Sequence, residues 1–124
     1  MLKRKRPRPS LNLRSFNGQT KAQKVAHADP VKVDSKHYTV EVENEKVRVL
    51  RIKYGPREKS EMHRHPALVA IMVTDCHARF TYPDGKTEEI VAKAGDVRPF
   101  PAFEHLPENL SDKPFEVIGV ELKG

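Results

Sequence analysis

From Ser35 onward the chain is a succession of short apolar–polar runs, with turn signals every 8–12 residues. "HYTVEVENEKVRVLRIKYG" alternates about a turn at Glu43–Glu45 and is rich in Val, Ile and Tyr, which suit a pleated, half-buried surface. Further runs occupy Glu61–His65, Leu68–Thr74 and His77–Tyr82. After a turn at Pro83–Gly85 come Thr87–Val91, a second turn at Lys93–Gly95, and Val97–Pro101. "FEVIGVELK" supplies the last run. No stretch keeps a helical period over three turns, and no internal repeat is visible. Seven or eight short strands at this spacing predict an all-β sandwich or barrel.

The first 30 residues have a different texture. They are polar, proline-bearing and without periodicity, so residues 1–30 are expected to form a disordered basic extension and residues 31–124 a single domain. Residues 1–24 carry eight basic side chains and no acidic one, leaving 15 basic against all 17 acidic residues in the remainder, a net of −2. The formal charge of +6 therefore describes the extension and not the domain. Eight clustered cations can attract nucleic acid only non-specifically, because no interleaved aromatics or recognised module accompany them. Removing residues 1–28 is expected to leave thermal stability nearly unchanged and to abolish any salt-sensitive nucleic-acid affinity; calorimetry and binding at two salt concentrations check both.

No segment approaches the roughly 18 apolar residues of a membrane span, and the basic start lacks the apolar core of a secretory signal. Cys76 is the single cysteine, which excludes an intrachain disulfide framework and suits a reducing, cytoplasmic setting. As a lone cysteine beside a turn, it reads as a small buried filler.

The chemistry concentrates in "GPREKSEMHRHPALVAIMV". Residues i and i+2 of a strand share a face, so His63 and His65 can turn their imidazoles toward one point. Two ligands make a weak site. "AGDVRPFPAFEHLPENLSD" offers a third in His105, which a barrel can bring back beside the first pair. Glu61, at the same parity as the pair, and Glu104 are candidate additional ligands. His77 alternates with Arg79 and is expected to face solvent, and no role is assigned to His27 or His37.

These two stretches together resemble the cupins, whose motifs run G-x5-H-x-H-x3,4-E-x6-G and G-x5-P-x-G-x2-H-x3-N. Gly55 with His63 and His65 is similar to the first, with a spacer two residues longer. Gly95, Pro101, His105 and Asn109 are similar to the second, with the Pro-to-His interval one residue shorter. The resemblance covers about residues 36–123 and implies a double-stranded β-helix, the cupin jelly-roll barrel. It also implies a divalent metal, Zn, Fe, Ni or Mn, on His63, His65 and His105.

The family's glutamate ligand would fall at Val69 or Ala70, neither of which can coordinate, and Phe103 and Cys76 replace two motif glycines. What is left is either a three-histidine metal site or a barrel that has lost its metal. Three retained histidines favour the metal, since packing alone would accept Leu or Phe.

The expected function is a small metal-binding protein that holds a small polar or anionic molecule, as an oxygenase or isomerase if it is an enzyme. The alternative is a non-catalytic binding or sensing module without obligatory metal. A second copy of the chain is a candidate partner; a membrane is not.

Overall fold

The computed structural model describes residues 28–124. The eight-cation stretch, His27 and most of the expected extension lie outside the described residues. Ala28–Pro30 do not behave as a tail. Pro30 is fully buried and opens a helical turn, α1 (Pro30–Val33), that Asp29 caps through its side chain to the Val31 N–H at 3.0 Å. The Ala28 carbonyl accepts from the Arg64 N–H at 2.8 Å, so a cut after Ala28 removes an acceptor that the fold uses.

Nine strands follow: β1 (Tyr38–Glu43), β2 (Val47–Tyr54), β3 (His63–His65), β4 (Leu68–Met72), β5 (Cys76–Thr81), β6 (Thr87–Ala92), β7 (Val97–Phe100), β8 (Phe103–Asn109) and β9 (Phe115–Leu122). They form two sheets in the orders β1-β2-β9-β4-β7 and β3-β8-β5-β6, all pairings antiparallel. The all-β barrel expected from the alternation is what the chain builds. No helix of the described residues is long and apolar enough to cross a membrane.

β9 is the central strand of the larger sheet. It pairs with β2 over its whole length, from Phe115 opposite Tyr54 to Leu122 opposite Val47, and its other edge takes β4. Alternate residues of the two sheets meet in one core that includes Leu50, Ile52, Leu68, Met72, Ala78 and Ile90. Each large aliphatic side chain buried there contributes roughly 1.5–3 kcal/mol.

One strand escaped the sequence pattern. The stretch after Pro101 reads as a proline-rich bend leading to His105, yet residues 103–109 form β8, between β3 and β5. Proline is usually excluded from such a position because it cannot donate to the ladder. Pro107 is tolerated because β3 spans only three residues and does not reach it. On that side the Pro107 carbonyl instead accepts from the Ser60 N–H at 2.9 Å, while Phe80 of β5 lies opposite on the other. Phe103 replaces a motif glycine without strain, since among the described non-glycine residues positive φ is confined to Arg57, and the turn glycines Gly85 and Gly95 adopt it at 86° and 91°. The two extra residues after Gly55 are taken up in the loop 55–62, which leans on β8 through Lys59 opposite Glu108.

Candidate metal centre

β3 and β8 pair with His63 opposite His105 and His65 opposite Phe103. Alternation along β3 therefore points both of its histidines inward, and the cross-strand register adds the third. Ring centroids lie 4.8 Å apart for His63–His65, 4.7 Å for His63–His105 and 5.2 Å for His65–His105. One nitrogen from each imidazole lies within 4.8 Å of the others, and all three residues are buried, at 0, 2 and 4% exposure.

Hydrogen bonding decides which nitrogen each ring presents. His63 Nδ1 donates to the Glu61 backbone carbonyl at 2.8 Å, leaving Nε2 without a partner. His65 Nδ1 donates to Glu121 Oε2 at 2.7 Å, which likewise leaves Nε2 for the interior. Among the described residues, neither ring nitrogen of His105 has a partner. Buried polar atoms without partners each cost about 1–3 kcal/mol, so a folded protein rarely keeps three together for packing alone. Burial first, and the neighbouring His65 imidazole second, push His63 down to about 3. His105 is driven well below the usual imidazole range by burial and by its two histidine neighbours. Neutral imidazoles are the form that coordinates a metal.

The two carboxylates expected as extra ligands do not join the set. Glu61 is exposed and offers His63 its backbone carbonyl. Glu104 pairs across from Arg64, at the parity opposite to the histidines, so it points away from the barrel interior. The position of the lost motif glutamate is resolved as well. Ala70 is buried and lines the pocket beside His65 and His105, whereas Val69 has the opposite parity.

The carboxylate that matters here is Glu121 on β9, only 2% exposed, and the sequence carried a signal for it. Phe115, Val117, Gly119 and Glu121 share one parity of the last strand, and an acidic residue at a core parity calls for a partner. Its partners are His65 and Arg48, whose Nε donates to Glu121 Oε1 at 2.9 Å.

His37 was also undervalued. It is buried, stacks on Tyr54 at 4.2 Å, and places Nδ1 on Asp34 and Nε2 on Glu58 at 2.7 and 3.0 Å. It belongs to a polar cluster behind the centre rather than to the centre. His77 pairs with Glu89 on the outer surface, and Cys76 is buried, its thiol pushed up to about 11 by burial, which makes it unreactive.

Beside the imidazoles lies a pocket of about 60 Å³, lined by His65, His105, Tyr38 and the aromatic rings of Phe80, Phe100 and Phe103, among others. Among the described residues, no charged side chain reaches its wall. The Tyr38 hydroxyl is already bonded to the Tyr54 hydroxyl at 2.7 Å.

Two antiparallel sheets closed over an inward-facing HxH pair and a third histidine from a later strand define a small jelly-roll barrel of the cupin type. The chain belongs to the cupin family: the family model for the cupin domain matches residues 50–121. Among solved structures it is similar to a cupin domain from Bordetella pertussis Tohama I, at 27% identity and a TM-score of 0.66, covering 70% of this chain and 92% of that one. An uncharacterized protein with a double-stranded β-helix domain from Klebsiella pneumoniae gives 19% identity and a TM-score of 0.57, over 86% of this chain and 92% of the other. An RmlC-like cupin family protein from Methanocaldococcus jannaschii gives 22% and 0.55, over 73% and 84%. No curated protein matches the sequence.

Proposed function

We propose that the protein binds one divalent metal ion through His63, His65 and His105 and presents it to a small molecule in the adjoining pocket. The observation that supports this is the set of buried, unpartnered ring nitrogens converging from β3 and β8. Three neutral imidazoles suit Zn, Fe, Ni or Mn and leave coordination positions open. The walls offer no charge to a ligand, so a polar or anionic head would be held by the metal while a short apolar body lies against the phenylalanine rings.

When bound, the metal supplies Lewis acidity and lowers the pKa of coordinated water. The described residues add little acid–base chemistry of their own: none of their carboxylates lines the pocket, and Glu121 is engaged by Arg48 and His65. If it is an enzyme, an oxygenase or isomerase driven by the metal is the better fit. The alternative is a binding or sensing module without obligatory metal, and the closely walled, uncharged pocket is the observation in its favour. Elemental analysis separates them, the metal reading requiring about one ion per chain that a chelator removes.

Restoring the family's carboxylate gives a sharper check. Ala70→Glu is expected to tighten metal binding by roughly tenfold or more, about 1.4 kcal/mol, while Val69→Glu leaves it unchanged. In the metal-free protein the Ala70→Glu carboxylate is buried without a partner, so its melting temperature should fall below wild type and recover on loading. Scanning calorimetry with and without metal reads both effects. Equal metal affinity in the two variants would mean that residue 70 does not face the ion.

A further inference from the structure

The segment Ala28–Asp34 touches the centre by two separate routes. In the first, both oxygens of Asp29 accept from the Arg48 guanidinium, at 2.9 and 3.0 Å. Arg48 donates its Nε to Glu121, and Glu121 holds His65 Nδ1. In the second, Asp34 Oδ2 accepts from Ser60 Oγ at 2.5 Å, and Ser60 Oγ lies 3.3 Å from His63 Nδ1. Between the two, the Ala28 carbonyl binds the backbone N–H of Arg64, the residue separating the two histidines. Pro30 is buried and Val31 packs against the core, which seats the segment on β3.

Each route ends on an Nδ1. A neutral imidazole in water favours the proton on Nε2, the nitrogen a metal must find free. An acceptor held at Nδ1 selects the other tautomer and fixes the ring plane. Asp29 can do this only through Arg48, whose planar fork binds Asp29 with its terminal nitrogens and Glu121 with Nε. Asp34 does it by fixing the Ser60 hydroxyl beside His63, where the Glu61 carbonyl also accepts.

We propose that Ala28–Asp34 is a strap belonging to the metal centre, and that Asp29 and Asp34 are positioning residues that preset His63 and His65 as Nδ1–H tautomers with Nε2 turned inward. The inference rests on the metal reading for its purpose but is testable without metal.

The test uses the full chain with Asp29→Asn, Asp34→Asn, and both together. Two quantities are read: the ring-nitrogen NMR shifts of His63 and His65 in chelator-treated protein, and Zn affinity by competition with a chelator. Wild type should show both rings protonated on Nδ1. Asp29→Asn should shift His65 toward Nε2–H, and Asp34→Asn should shift His63 the same way but less far, because the Glu61 carbonyl still accepts from its Nδ1. Each single change should weaken Zn binding about 10- to 100-fold, as removal of outer partners of metal-bound histidines does. The double variant should lose more than either.

A merely structural strap would lower the melting temperature and leave both tautomers untouched, and that result overturns the proposal. So does unchanged Zn affinity in folded variants. If Asp34→Asn does not fold, Ser60→Ala cuts the same route while leaving Asp34 on His37, and it should produce the same His63 signature. If wild type binds no Zn but the tautomers shift as stated, the strap stands and the metal reading falls.

Discussion

Replacing His105 with leucine is expected to abolish metal binding and, in the same protein, to raise the melting temperature of the metal-free form. The two effects share one cause. His105 is 4% exposed and neither ring nitrogen has a partner, so without metal it is a polar group buried at a cost. Apart from the two neighbouring imidazoles its surroundings are apolar: Phe80 and Phe103 each lie 4.4 Å from it, centroid to centroid. An apolar side chain of similar volume should gain of order 1–3 kcal/mol, or several degrees in a domain of this size. Metal affinity should fall by well over the roughly 100-fold expected from losing an outer partner, because a direct ligand is gone. Calorimetry of chelator-treated protein and metal titration read the two halves independently. His77→Ala, on the outer surface with Glu89, serves as the control and should change neither. A lower melting temperature for metal-free His105→Leu would show that the imidazole is satisfied in a way the unpartnered nitrogens do not suggest.

Mild acid should destabilise the metal-free protein, and the window identifies the groups responsible. His63 is held neutral down to about 3 and His105 well below the usual range, whereas both titrate near 6.5 in the unfolded chain. The unfolded state therefore binds more protons between these limits. Stability is complete above about pH 6.5 and falls as the pH drops toward 3. A histidine held neutral down to about 3 contributes a slope of about 1.4 kcal/mol per pH unit below 6.5, so His63 alone accounts for about 2 kcal/mol by pH 5, and His105 adds to it in the same direction. Together they remove a substantial share of the 5–15 kcal/mol typical of a domain.

Carboxylates act later. The Lys36 ammonium, the Gly55 N–H and His37 hold Glu58 down at about 2, so its contribution is lost only as the pH falls below about 4. Denaturant unfolding at a series of pH values should show the decline beginning near 6.5, and His105→Leu should roughly halve the initial slope. A flat profile from pH 7 to 5 would mean that the imidazoles are not buried neutral.

The fold could be read from the chain because alternation is a direct record of a two-faced sheet. β2, β6 and β9 follow it closely, and the turns at Pro83–Gly85 and Lys93–Gly95 lie where glycine and proline put them. β8 was not legible, since its Pro107 speaks against a central strand and only the short reach of β3 makes room for it. His63, His65 and His105 were legible through spacing and register. Glu121 was half legible, as a charge at core parity whose partners cannot be known before the sheets close. Asp29 was concealed by composition: the "DP" cap signal sits at the end of a basic, unpatterned stretch and was absorbed into it. What escaped is long-range pairing, which leaves little local trace.

The centre draws on chain segments that are far apart: Asp29 and Asp34 before the first strand, His63 and His65 on β3, His105 on β8, Glu121 on β9. Because β9 must also insert between β2 and β4, the larger sheet cannot close until residues 115–122 exist as chain. A ribosome that has released only Ala28 through His105 has made all three histidines, but neither Glu121, which holds His65, nor the strand that completes the larger sheet. Under the metal reading proposed above, loading would follow growth of the last strand, and retention of an ion would report that β9 is in place.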